Sequence, residues 1–392
     1  MSNINIPNRD QWERMNGYLS NIANSLGTQV DRSDWTAIHD AVTLGIAPTV
    51  FPIGTQFTVS HLDYGDMLFD VVAHDHYEGI NAMYGNNVKH SMTLLSHHAY
   101  FSAPFNSREA FYYADSALSA GTYNFTLPDS MDKWEAGTYQ FSLSSSLPKG
   151  GQLAISGDAS TALTSLKVEY YNNQQATSAT YSFTITKGSG GTNLGTLGID
   201  LNHVARVSYG SNNYAESDIR QLLNSAKNTG SVWNPQTKYD RPPSWVNSMR
   251  GFVQGFQANP VATTFLIALS RYYVKLPCVA NQVYESPDSS IAVGSEYILE
   301  KDMFYIPSQK EIMGYSSYVS DQCKLFPYYE GATDIDYIKY RDGVKTSYWT
   351  RSCDNKVQID SPGKVNYINS DGKIYRDSPT SERGIMIAFN IC

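Results

Sequence analysis

The chain has 392 residues, enough for two or three domains, and 41% of them are hydrophobic, enough for a sizeable core. Only 17% are charged, against about a quarter in ordinary globular domains. The net charge is −8 with no Lys/Arg block, which excludes a protein built to grip nucleic-acid phosphates.

What remains is a surface of Ser, Thr, Asn, Gly and Tyr, with 29 tyrosines in a chain that is 13% aromatic. Antigen-binding loops use this composition, because Tyr gives large contact area with few torsions while Ser, Asn and Gly adapt. A rigid, neutral extracellular β-protein has a similar one. The amino terminus, MSNINIPNRDQW, is polar and lacks a signal-peptide apolar stretch. No apolar run is long enough to span a bilayer. Synthesis in a cytoplasm is expected, with any surface exposure coming through a particle. The four cysteines (Cys278, Cys323, Cys353 and Cys392) fit no zinc spacing and are expected as buried thiols.

In chain order, Asn8–Leu26 is predicted as a helix, with Pro7 at its start. Trp12, Met15, Leu19, Ile22 and Leu26 alternate at spacings of three and four, an a/d seam. A seam this short needs a partner, either copies of itself or the rest of its own domain. A second helix is predicted with Ser33 as its cap and Trp35, Ile38, Ala41 and Val42 on its inner face; Gly45 and Pro48 end it. Strands are expected over Gln56–Ser60 and Met67–Ala73, either side of a turn at Tyr64-Gly65-Asp66, with Ser91–Leu95 continuing the sheet. His74-Asp75-His76 would place two imidazoles on one side of a strand, with Glu78, His97 and His98 nearby, but no fixed third ligand marks a metal site.

From about Asn106 to Gly198 the texture changes to Ser, Thr, Gly and Tyr. Short alternating runs at Thr122–Leu127, Thr138–Leu143, Gln152–Ile155, Leu166–Tyr170 and Thr180–Thr186 predict a small β-sandwich. Gly188-Ser189-Gly190-Gly191 closes it as a linker. Because the flanking sequence reads as one domain, this is expected to be an insertion, serving as a spacer or a sugar-binding module. Glu216–Lys227 is then predicted as a helix capped by Ser217, Met303–Ile306 as a strand, and Ser308-Gln309-Lys310-Glu311 as a capping box. Asp342-Gly343 turns the chain into the next strand.

The last stretch, Ser347–Cys392, organises the rest. Tyr348–Cys353 alternates as a strand, and Ile385–Ile391 is a nearly continuous apolar run suited to a buried terminal strand. Between them, Val365–Tyr375 divides around Ser370-Asp371-Gly372, a hairpin signal. The bracketed segment offers Tyr367 and Tyr375 as flat contact surface. Asp354, Asn355, Gln358, Asp360, Asn366, Asn369, Arg376 and Asp377 are its hydrogen-bonding candidates.

Trp349-Thr350-Arg351-Ser352 and Gly384-Ile385-Met386-Ile387-Ala388-Phe389 resemble the strands that open and close the variable segment of phage receptor-binding and tropism-determinant proteins. These have a C-type-lectin fold, and many of them are targets of diversity-generating retroelements. The run from Tyr209-Gly210-Ser211-Asn212-Asn213-Tyr214 through Trp233, Asp240-Arg241-Pro242-Pro243 and Gly251-Phe252 is similar to the front half of the same proteins. This chain has Cys353 and Ile387 where the family usually has Pro, so the resemblance does not carry active diversification with it. It implies an α+β fold in four parts. Residues 1–47 form a helical attachment or oligomerisation segment and 48–105 the first part of a lectin-like domain. Residues 106–198 are the inserted β-sandwich, and 199–392 complete the lectin-like domain with its ligand-binding segment at 347–392. It also implies a homo-oligomer, commonly a trimer, on a virion surface among other virion proteins, with a host cell-surface protein or glycan as ligand.

The alternative is a structural virion decoration or spacer. P-loop, GxSxG, HExxH and Rossmann signatures are all missing from the sequence, so no enzyme and no cofactor is expected. Asp334, Asp336 and Asp342 lack EF-hand spacing.

Overall fold

The computed structural model describes residues 32–127, 135–155, 165–171, 182–188, 190–195, 206–207, 209–277, 297–315, 323–354 and 363–392. The helix expected over Asn8–Leu26, with its seam, lies outside them.

Helix α1 (Trp35–Thr43) is capped by Asp34, one residue later than expected, whose carboxylate accepts from the Thr36 and Ala37 amides at 3.0 and 3.3 Å. Its inner face is the expected Trp35, Ile38, Ala41 and Val42. Pro48 does not simply end it. It sits in the first turn of a short helix, α2 (Ala47–Val50), where a missing N–H costs nothing.

Strands β1 (Gln56–His61) and β2 (Gly65–His74) form a hairpin, and α3 (Glu78–Met83) leads to β3 (Met92–Ser96) and β4 (Ser102–Pro104). Beyond β4 come β5 (Tyr112–Tyr113), β6 (Gly121–Leu127), β7 (Gly137–Leu143), β8 (Gln152–Ile155), β9 (Ser165–Tyr171), β10 (Ser182–Lys187) and β11 (Thr192–Asn193). These seven make one hydrogen-bonded sheet, in the order β11-β6-β7-β10-β9-β8-β5, rather than the two separate sheets expected of a sandwich. The sheet curls, because Phe111, beside its β5 edge, reaches Phe125 and Phe141 near its other edge, with ring centroids 5.6 and 5.8 Å away. Phe111, Phe125, Tyr139, Phe141 and Leu153 are buried but do not join the main apolar cluster. This region therefore has its own core.

Helix α4 (Asp218–Asn224) carries the expected Ser217 cap, with Ile219, Leu222 and Leu223 buried. It is shorter than the predicted Glu216–Lys227: Tyr214–Glu216 forms a 3-10 turn, and Ser225 is extended. The chain continues through α5 (Phe252–Gln257), α6 (Thr263–Ala268), β12 (Leu269–Ser270), β13 (Tyr272–Pro277), β14 (Tyr297–Asp302), β15 (Phe304–Tyr305) and α7 (Gln309–Met313). It ends with β16 (Lys339–Arg341), β17 (Val344–Thr346), β18 (Tyr348–Cys353), β19 (Val365–Ile368), β20 (Ile374–Asp377), β21 (Glu382–Gly384) and β22 (Ala388–Ile391). The protein is thus α+β and mostly strand.

Two sheets share the main core. One runs β1-β2-β3-β22-β12, with β15 also paired to β22; the other runs β20-β19-β18-β21-β4. The chain crosses between them twice, from β3 to β4 and from β21 to β22, and the crossings lie side by side. The Ser96 amide donates to the Ile387 carbonyl at 2.8 Å, and the Ile385 amide to the Phe101 carbonyl at 3.0 Å. This is why Ile385, Met386 and Ile387 are fully buried although they are not strand. Phe389, on the central β22, packs at 4.9–5.7 Å from Phe69, Phe265 and Phe304. The apolar carboxy-terminal run is the middle of the core.

Candidate functional site

The site begins with the strand that holds it. All six residues of β18 are buried. Its register against β19 shifts between Trp349 and Cys353, so strict alternation fails there, and Arg351 and Ser352 both reach α7. Ser308 and Glu311 form the predicted capping box. Glu311 also accepts from Arg351 Nη2 at 2.6 Å and from the Tyr77 hydroxyl, with His76 Nε2 at 3.7 Å. Arg351 Nη1 donates to the Ile306 carbonyl at 2.7 Å, and its guanidinium lies over Tyr305. Burial opposes charge on Glu311, but the Arg351 cation and its hydrogen bond, with the His76 ring nearby, outweigh it and hold the carboxyl well below its usual range. A buried charge of this kind is tolerable only because it is paired and bonded on every side.

The hairpin β19–β20 packs next to that strand. Val365↔Asp377 and Ile368↔Ile374 set its register, and Gly372 (φ 80) closes its turn. A Cβ at Gly372 would lie 1.7 Å from the Asp334 carbonyl oxygen, so the turn is pressed onto the 3-10 segment Asp334–Tyr337. Trp349, Tyr367 and Tyr375 are cross-strand neighbours on β18, β19 and β20. Their rings form a row: Trp349 meets Tyr367 edge-on at 5.9 Å, and Tyr367 stacks on Tyr375 at 6.0 Å. The Arg383 guanidinium, from β21, sits 4.1 Å from the Tyr367 ring centroid and is held by Asp377 and by Ser347 Oγ at 3.1 Å. The row opens to solvent at Tyr375, which is 45% exposed.

The candidate residues divide on this frame. Asn355, Gln358 and Asp360 lie outside the described residues. Asn366 does not face a ligand: it is buried and donates to Gln309 Oε1 at 2.9 Å and to the Cys353 carbonyl at 3.3 Å. Asp354 is likewise buried, in an ion pair with Arg376 at 2.7 Å. Asp377 accepts from Arg383 and from the Ser378 amide. The Asn369 amide donates to the Lys373 carbonyl at 2.8 Å across the turn. Tyr375 donates to Asp371 Oδ2 at 3.2 Å. The structure therefore gathers Tyr367, Asn369, Tyr375, Arg376 and Asp377 on the hairpin and takes Asp354 and Asn366 into its supports. Arg383 and Asp371 join them. Asp371 stood out only as a turn residue and Arg383 not at all, since nothing local marks an arginine as the one that will cover a tyrosine across the sheet.

The His74-Asp75-His76 run does not act as a pair. Asp75 has a left-handed backbone (φ 53) that breaks the strand. His74 Nε2 donates to the Phe51 carbonyl, and His76 packs against Phe326. Instead Asp75, Glu78 and His90 bring potential ligand atoms within 4.8 Å of one another, each partly exposed. Among the described residues no disulfide forms: Cys323 and Cys353 are buried thiols and Cys392 is half-buried. No helix among those residues is long and apolar enough to cross a membrane.

Comparison with curated proteins and with solved structures finds no match. A family model described as a domain of unknown function (DUF6273) matches residues 198–392. The match starts beyond the seven-stranded sheet and takes in α4 to β22, while β1–β4, which complete both core sheets, precede it.

Proposed function

We propose that the chain is a phage virion-associated adhesin with a C-type-lectin-like body, binding a host-surface protein or glycan through its carboxy-terminal face. The observation that carries this reading is the aromatic row ending at Tyr375. It presents a flat ring and a partly covered second ring, braced by Arg383, on a hairpin whose other face buries Asn366 against Gln309. A surface held this firmly loses little conformational freedom on binding. Tyr and Arg are also the residue types on which binding energy concentrates. The arrangement of two buried framework strands, β18 and β22, bracketing a polar hairpin supports the same reading. The N-terminal seam would then gather copies of the chain on the particle.

Purified protein should bind host cells saturably. A protein carrying Asn369→Ala and Tyr375→Ala together should fold and lose that binding. Undiminished binding by the folded double variant contradicts the assignment of this face and favours the spacer.

A further inference from the structure

A cleft of about 550 Å³ opens where three loops meet: the β1–β2 turn, the segment after β3, and the tip of the β16–β17 hairpin. Its walls are Tyr64, Tyr100 and Tyr340, with Asp63, Asp342 and His98 among them. None of these belongs to the carboxy-terminal face. The volume is that of a small-ligand site.

The walls are fixed before any ligand arrives. Tyr64 stacks on Phe101 at 5.1 Å and on His61 at 4.8 Å. The Tyr100 hydroxyl is engaged by the Leu68 backbone. The Ala99 amide donates to the Tyr340 carbonyl at 3.0 Å, tying the second loop to the third. Asp342 (φ 51) and Gly343 (φ 78) form the tight turn that holds Asp342 at the rim.

The charges are balanced. Asp63 pairs with Arg250 at 3.0 Å, and Asp342 lies 3.8 Å from Arg341. His98 Nδ1 is buried and has no hydrogen-bond partner. Burial, with His97 and Lys339 nearby, lowers the His98 pKa, so the imidazole is neutral at pH 7. The cleft thus offers flat aromatic rings, carboxylate oxygens as acceptors and a neutral imidazole, and no Lys or Arg among the described residues that line it. Rings that receive an apolar face, beside acceptors that receive hydroxyls, suit a polyhydroxylated ring compound.

We propose that this cleft is a second binding site, taking a neutral saccharide with one face on the tyrosines and its hydroxyls on Asp63 and Asp342. This does not depend on the carboxy-terminal face binding anything.

The test is calorimetric titration of the full chain with neutral probes: glucose, galactose, mannose, N-acetylglucosamine and their disaccharides. Choline serves as the cationic probe and sialic acid as the anionic one. At least one neutral sugar should bind, and Tyr340→Ala and Asp342→Asn should each weaken it roughly tenfold. Asn tolerates the left-handed backbone at 342, so Asp342→Asn separates loss of binding from loss of the turn. The sugar binding that the two cleft variants weaken should persist in Tyr375→Ala, whatever the carboxy-terminal face itself loses. Binding by choline or sialic acid alone, no binding by any neutral sugar, sugar binding unaffected by both cleft variants, or sugar binding abolished by Tyr375→Ala overturns the proposal.

Discussion

Strand β18 and the hairpin β19–β20 are hydrogen-bonded neighbours with similar polar residues, yet they do opposite things. Arg351, on β18, is fully buried and spends its guanidinium on Glu311 and a backbone carbonyl. On β20, Arg376 is half-exposed although it pairs with Asp354, and Tyr375 beside it reaches solvent. The difference is what lies over them. Helix α7 covers β18 through Glu311 and Gln309, whereas β20 is the edge strand of its sheet. A side chain under a helix becomes a cross-link, and one that an edge strand turns to solvent, as β20 turns Tyr375, stays open to contact.

The comparison breaks most severely at Arg351. Arg351→Met leaves Glu311 buried without its cation, and about 3–5 kcal/mol of stability should be lost in urea unfolding. Arg351→Met with Glu311→Gln should recover part of that loss, because the stranded charge is gone. If the double variant is no more stable than the single, the ion pair is not what β18 relies on. Gly372→Ala comes next. Its methyl group must displace the Asp334 backbone in a turn that already needs positive φ, at about 1–3 kcal/mol. Hydrogen exchange should accelerate in β19–β20 and not in β22; uniform acceleration would contradict a locally seated hairpin.

A smaller effect comes from pH. Burial pushes the Asp218 carboxyl up to about 7, against hydrogen bonds from Ser107 and Trp233. A raised folded pKa means that the native state binds the extra proton, so this stabilisation is present at low pH and is lost as pH rises through about 7. Wild type should gain stability between about pH 8 and pH 6, and Asp218→Asn should flatten that slope. An equal slope in both proteins would assign the titration elsewhere.

Local chemistry was legible in the sequence and pairing was not. The Ser308–Glu311 capping box and the Asp371-Gly372 turn were readable because each signal lies within four residues. The partner of Arg351 was not, since Glu311 is forty residues away and its capping role hid a second one. Strands of the insert were readable from alternation, but their closure into one curled sheet depends on Phe111 meeting Phe125 and Phe141, which alternation does not encode. Asn366 and Tyr375 both read as ligand-facing hairpin residues, one for hydrogen bonds and one for flat contact. Only the position of Gln309 beneath one and the open edge beside the other separate them.

The seven-stranded sheet gives a further prediction on the same line. Asn106 and Ser107 bond Asp218 in the main body, while Glu109 pairs with Arg206 at 3.0 Å across the base of the region that carries it. Replacing residues 110–205 with a short Gly/Ser linker should leave one cooperative melting transition in the remainder. A broad, non-cooperative melt would show that the curled sheet supports the body.

The account rests most directly on Tyr375, the point where the buried row becomes a surface. Melting temperature and host-cell binding should be measured on one preparation of Tyr375→Ala. The melting temperature should stay within about 2 °C of wild type, as for an exposed side chain, while binding falls roughly thirtyfold. A variant that melts normally and binds host cells as wild type does would contradict the claim that this face is the adhesive one.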